Sequence, residues 1–250
     1  MKRVKYRADV EPEALRVFRE GVLSWYQQNG RDLPWRRTQD PYAVLVSEIM
    51  LHQTTVTTVI PVYEAFLGRF PTIESLYQAP LDEVKAITDP LGYKVRGRWL
   101  KSIATVVVEE WGGQWPDTVE VLMTLPGVGR YTAGAIASFA LGVQAPIVDT
   151  NVKRVLGRYF GLDYKTPKAA VQHALWALAE AVVPPGEAYR FNQALMDFGA
   201  MLCTARKPLC LICPAEAFCQ VSTPSKVDAA AEEASPYRLY PREAGSESAS

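Results

Sequence analysis

The stretch LPGVGRYTAG, residues 125–134, decides how the rest of the chain is read. Two glycines one residue apart stand ahead of YTAGAIASFAL (131–141), whose small and apolar residues recur at helical intervals. Gly127 and Gly129 permit positive φ and the close approach of another group. Arg130 and Tyr131 then open a helix whose free N–H groups form an anion site, into which a phosphate would fit. By itself a Gly-x-Gly before a helix also describes a plain turn between helices, so the surroundings carry the argument.

Outward from this turn the periodicity stays helical. Residues 13–28, 42–70, 96–113 and 169–183 place apolar side chains three and four apart, punctuated by Pro and Gly. VVV (106–108) and APIV (145–148) are short strand signals, and neither leads into a hairpin turn. The pattern predicts an all-α protein. After Gln220 the composition turns to Ser, Ala, Glu and Pro, which predicts a disordered tail over 221–250. The chain has 250 residues, 48% hydrophobic and 22% charged, enough for one large domain or two modest ones sharing a cleft. No apolar run reaches the roughly 20 residues of a membrane helix, and the basic N-terminal residues have no apolar stretch behind them. The expected location is the cytoplasm, with no membrane partner.

Lys and Arg number 27 and so do Asp and Glu, which excludes a uniformly basic surface. Basic residues still cluster, as Arg31, Arg36 and Arg37 and as Lys94, Arg96, Arg98 and Lys101. Two such patches could grip phosphates on a neutral molecule, or be solvated helix faces. His173 reads as core or surface without function.

The four cysteines, Cys203, Cys210, Cys213 and Cys219, all fall in MLCTARKPLCLICPAEAFCQ. In a reducing compartment one four-thiolate metal site accounts for them better than two disulfides. Zinc and a [4Fe-4S] cluster both accept four thiolates. A single Cys-x-x-Cys pair with two ligands on longer loops suits the larger cubane, although the spacing matches neither ferredoxin pattern.

Two carboxylates stand out. Glu48 in YAVLVSEIMLHQTT has apolar neighbours on every helical face, so it either reaches water at an edge or sits in a cleft as a proton donor with raised pKa. Asp149, following APIV and opening DTNVKRV, reads as a helix N-cap, which would keep it ionised at a helix mouth.

Together SEIMLHQT (47–54), the segment 125–154 with its LPGVGR and VDTNVKR, and the cysteine window resemble the helix-hairpin-helix DNA glycosylases that carry an iron-sulfur cluster. Within these the chain is similar to the MutY-type adenine glycosylases and the related thymine mismatch glycosylases, from about Leu33 to Gln220. The resemblance implies two helical domains flanking a DNA-binding cleft. One is a six-helix domain over 38–144 that contains the hairpin, and the other, formed by 10–37 and 145–220, holds a [4Fe-4S] cluster on the four cysteines. It implies double-stranded DNA as partner, a mispaired base flipped from the duplex, and a monomer in the cytoplasm near the nucleoid.

Roles follow by position. Glu48 matches the general acid that protonates adenine at N7, and Asp149 the carboxylate that stabilises the oxocarbenium-like sugar, which requires opposite pKa directions for the two. Tyr131 and Asn151 fall in the same catalytic pocket. Gln53 and Tyr93 match residues that wedge into the base stack, and Gly127, Gly129 and Arg130 match the phosphate-gripping hairpin. His52 stands where the adenine-specific pattern has a glutamine that contacts DNA. Relatives that also cut the strand have a lysine nucleophile at the position of Tyr131, so the resemblance implies a monofunctional enzyme. Lys94 or Lys153 would then give only slow adventitious cleavage.

LGY (91–93) and Gln53 favour adenine excision, opposite G or 8-oxoguanine, and a proton on N7 is open only to a purine. DFGAMLCTARKP and Tyr131 are equally compatible with thymine or uracil excision from G:T and G:U. Adenine enzymes usually add a domain that reads 8-oxoguanine, and a low-complexity tail stands in its place here, so weaker 8-oxoguanine recognition is expected. A non-catalytic iron-sulfur DNA-binding module is the alternative from another class, opposed by the presence of both Glu48 and Asp149.

Overall fold

A computed structural model describes residues 10–162 and 167–221. The expected disordered tail, Val221 apart, lies outside the described residues. The all-α expectation holds: eleven α-helices and no strand are found among the described residues. None of these helices is long and apolar enough to cross a membrane. VVV (106–108) opens a π-helical turn, Val106–Glu110, at the end of a helix, and APIV runs irregularly beside another.

The helices form two apolar clusters. The first is built on α2 (Pro41–Leu51), α3 (Val56–Arg69), α4 (Ile73–Gln78), α5 (Leu81–Thr88), α6 (Arg96–Thr105), α7 (Val119–Leu122) and α8 (Arg130–Phe139). The second joins α1 (Pro12–Asn29) to α9 (Thr150–Tyr159), α10 (Lys168–Val182) and α11 (Ala188–Asp197). Leu33 and Trp35 pack into the first cluster, as do Ala145 and Ile147.

Local chemistry sets the helix starts. Asp40 accepts from the Tyr42 amide at 3.0 Å with Pro41 in the first turn, and Thr72 and Ser75 form a reciprocal capping box ahead of α4. Helix α2 is buried on all sides from Tyr42 to Met50 because α3 and α8 cover it from different directions. That explains its unbroken apolar sequence, and it makes the carboxylate of Glu48 an interior group.

The α7–α8 hairpin turns at Gly127, with φ +75°. A Cβ there would meet the Trp99 ring at 2.4 Å, so glycine is required for both backbone and packing. Gly129 differs from expectation. Its φ is −90°, any residue could adopt it, and a Cβ would enter open space.

Polar side chains stitch the two clusters together. Asn192 on α11 donates to Ser138 Oγ at 3.2 Å and to the Ala145 carbonyl at 2.8 Å, and Tyr189 Oη donates to the Arg36 carbonyl at 2.9 Å.

Candidate active site and DNA interface

The packing of α2 on α8 sets Glu48 beside Tyr131. Glu48 is 4% exposed, and burial pushes its carboxyl up to about 7. The Tyr131 hydroxyl and the Arg36 cation oppose that rise, and the charge of Asp149 adds to it. Tyr131 Oη donates to Met196 Sδ at 3.6 Å while standing against the Glu48 carboxyl. Burial and the two neighbouring carboxylates hold the phenol well above its ordinary range, so it stays neutral. Glu48 and Tyr131 line a cavity of about 60 Å³ together with Trp35, Arg36, Ser47 and Gln193. Asp149 does not line it, and reaches the site through its charge on both Glu48 and Tyr131.

Asp149 caps α9 as the sequence suggests, accepting from the Val152 amide at 2.6 Å and from Asn151 Nδ2 at 2.8 Å. The expectation that capping would win does not hold. Burial outweighs those bonds and the Arg154 cation, and the pKa is raised. Both carboxyls therefore shift upward, and they differ in their partners: Asp149 accepts amide donors, whereas Glu48 has a neutral phenol.

Asn151 extends the site toward the cysteines. Its Oδ1 accepts from Arg154 Nη2 at 2.8 Å, and the same guanidinium donates to the Gly199 carbonyl at 2.7 Å and, through Nε, to the Cys203 carbonyl at 2.9 Å. Asp149, Asn151, Arg154 and Cys203 form one hydrogen-bonded chain. Cys203, Cys210, Cys213 and Cys219 line a single cavity of about 40 Å³, with Arg158 Nη1 at 3.5 Å from Cys203 Sγ. Burial raises the Cys213 thiol to about 11 and also lifts Cys210 and Cys219. Among the described residues no three His, Cys, Asp or Glu side chains could hold one metal ion.

Gln53 and Tyr93 lie at the ends of two adjacent loops. Both are exposed and both have left-handed backbone, φ 56° and 33°. His52, by contrast, is turned inward: its Nε2 lies 3.3 Å from Thr132 Oγ1 and its ring meets Trp99 edge-on at 6.0 Å. Burial and nearby Arg96 lower its pKa. Arg130 lays its guanidinium over Trp176 on α10 at 4.0 Å.

The sequence model of the HhH-GPD superfamily of base excision DNA repair proteins matches residues 46–181, a span containing Glu48, the glycine hairpin and Asp149. The chain belongs to this superfamily. It is 48% identical over 213 residues to the adenine DNA glycosylase of Homo sapiens, an alignment covering 82% of this chain and 39% of that protein. The chain thus spans well under half the length of that relative. Two solved HhH-GPD-like structures share the fold. A thermostable thymine-DNA glycosylase superimposes with TM-score 0.78 at 38% identity, covering 83% of this chain and 95% of the other. A non-covalent endonuclease III–DNA complex gives 0.72 at 25% identity, covering 84% and 95%.

Within this HhH-GPD chain part of the two basic patches is taken up by partners in the protein itself. Arg31 and Arg36 both bind Asp197, Arg37 pairs with Asp32 at 2.5 Å, Arg96 is buried, and Lys101 donates to the Leu76 and Tyr77 carbonyls. Lys94 and Arg98 stay exposed. Sequence reasoning missed Asp197 altogether, although the signal was there: an acid within the apolar run ALMDFGAM, the same signature that drew attention to Glu48.

Proposed function

We propose that the chain is a monofunctional DNA glycosylase of base excision repair that removes adenine mispaired with G or 8-oxoguanine. One observation carries this reading: a buried acid, its carboxyl pushed up to about 7, stands beside a neutral tyrosine phenol, where the resemblance to strand-cutting glycosylases implies an amine in those enzymes. Glu48, half protonated near neutrality, gives its proton to N7 of an extruded adenine. The bond from C1′ to N9 then breaks, the base leaves neutral, and the carboxylate of Asp149, stabilised by the Val152 amide, Asn151 and Arg154, faces the cationic sugar. Water completes the reaction to an abasic site, and without an amine at position 131 no Schiff base forms there.

The open space around Gly129 leaves room for a DNA phosphate at the N-terminus of α8, and the exposed Gln53 and Tyr93 are suited to enter the gap left by the base. The protein acts as a monomer on double-stranded DNA, in the cytoplasm, with the two apolar clusters as two domains flanking the duplex.

The four thiols fit a [4Fe-4S] cluster. They surround one cavity, as the four thiolate ligands of a single site would. Cys203, Cys210, Cys213 and Cys219 would hold the cluster as its thiolate ligands and so tie the 203–219 loop together, and Arg158 would supply an N–H to the Cys203 sulfur.

A second reading, excision of thymine or uracil opposite G, is favoured by the alignment that spans 95% of a thymine-DNA glycosylase. One assay separates them: duplexes carrying A opposite 8-oxoguanine, A opposite G, T opposite G or U opposite G, incubated with enzyme and treated with alkali. Breaks in the adenine strands after alkali are expected. Breaks in the T or U strands alone would overturn the adenine assignment, and breaks without alkali the monofunctional one. If Glu48→Gln removed the base as fast as the parent, the chain would not be using this acid.

A further inference from the structure

Arg96 is among the largest fully buried side chains of the described residues, and none of its bonds is to a carboxylate. Its guanidinium is spent on backbone carbonyls: Nε donates to Ile49 O at 3.1 Å, Nη2 to His52 O, and Nη1 to Leu91 O at 3.3 Å and Gly92 O at 2.8 Å. Two of these acceptors come from the C-terminal end of α2, and two from the turn after Asp89–Leu91, some forty residues later. Each loop offers the negative end of a helical segment, which is where a buried cation is best tolerated without a counter-ion.

The position of the acceptors is the telling part. His52 O belongs to the peptide that leads into Gln53, and Gly92 O to the peptide that leads into Tyr93. These two are the non-glycine residues of positive φ among the described residues. Such backbone is strained and persists only where the surroundings hold it. Arg96 grips the peptide plane just ahead of each. One turn along α6, the Trp99 ring meets both His52, at 6.0 Å, and Tyr93, at 5.5 Å, and it also fills the space that makes Gly127 obligatory.

We propose that Arg96 is a positioning residue for base extrusion, a buried clamp that fixes the Gln53 and Tyr93 loops as one unit, with Trp99 tying that unit to the hairpin. This rests on the proposed glycosylase function. An exposed Tyr93 pays less to displace a stacked base if its backbone is already held, so the clamp matters where the base must be pulled from a pair and little where it is already unpaired.

The test is Arg96→Lys, which keeps the charge and loses the fork. Amide hydrogen exchange is followed over 51–54 and 91–94, and excision is compared on a fully paired mismatch duplex and on the same target inside an unpaired bubble. The clamp predicts that both segments speed up together, by about tenfold or more. It further predicts that excision falls by about tenfold or more on the paired duplex and by less than about threefold on the bubble. Exchange that rises in one segment only, or in neither, overturns the clamp. Equal losses on both substrates overturn the link to extrusion. Should the parent excise the base from neither substrate, the functional reading fails, while the exchange measurement still decides the clamp. Should Arg96→Lys fail to fold, Trp99→Phe, which loosens the same loops through their rings, must reproduce the paired-substrate selectivity or the proposal falls.

Discussion

Glu48 on α2 and Asp197 at the end of α11 are both carboxylates sunk among apolar side chains, 4% and 0% exposed, yet they end in opposite electrostatic states. Burial lifts Glu48 to about 7, with only a phenol and a more distant cation to oppose it. The same burial would lift Asp197, but bonds from Arg36 and Arg31 overcome it and hold the carboxyl below its ordinary value. Asp197 accepts from the Arg31 amide, from Arg31 Nε and Nη2, and from both Arg36 Nη atoms, at 2.6 to 2.9 Å. The two sites share a residue, since Arg36 also lines the Glu48 cavity. Paired fully, a buried acid locks helices together; left with a neutral neighbour, it keeps its proton and can give it away.

The largest effect expected to sharpen this contrast is on chemistry. Glu48→Gln should keep the fold and lower single-turnover excision of adenine by about 10²- to 10⁴-fold, the usual worth of a positioned acid. Asp197→Ala should do the reverse, destabilising the protein by about 3–5 kcal/mol in urea unfolding because it strands the buried Arg36. If Asp197→Ala unfolded at the parental urea concentration, the lock would be no lock.

Acidity separates the pair next. The folded pKa of Glu48 lies above its unfolded value, so its contribution is fully present below about 4.5 and is lost as pH rises through about 7. Glu48→Gln should therefore be more stable than the parent at pH 8 by on the order of 3 kcal/mol, with the gap closing as pH falls toward 4.5. Excision by the parent should decline roughly tenfold per pH unit above 7 as the donor ionises. Asp197 runs the other way: its contribution is present above its unfolded pKa and is lost only as acid reaches its lowered folded value. An activity that stayed flat from pH 7 to 9 would remove Glu48 as proton donor.

The hairpin repeats the contrast on a smaller scale, between a position fixed by packing and one kept open. Gly127→Ala should cost about 1–3 kcal/mol of stability, since it adds both positive-φ strain and a clash with Trp99. Gly129→Ala should change stability by less than about 0.5 kcal/mol and weaken DNA binding instead, as read by titration of a mismatch duplex.

Much of this architecture was legible in the chain. Helical periodicity and Pro, Gly and capping residues act locally, so the all-α class and the cap of α9 at Asp149 could be read directly, whereas the helical pattern over 42–70 gave no sign of the break between α2 and α3. The candidate site was legible in part, through Glu48, Asp149 and Tyr131, because an acid in an apolar helix announces a buried charge. The fate of that charge was not. Nothing in ALMDFGAM reveals that Arg31 and Arg36 converge on Asp197 across more than 160 residues, nor that Arg36 is thereby buried. The direction of the Asp149 shift was likewise hidden, because it depends on how much protein surrounds the cap.

What the sequence determined by itself, then, is what short-range sterics and hydrogen bonding control: the helices, the cap at Asp149 and the grouping of four thiols. What only the tertiary structure decided is electrostatic partnership. A charge is stabilised or penalised by groups within a few ångströms in space, and the packing of α2 on α8 and of α11 against residues 31–36 alone determines which groups those are.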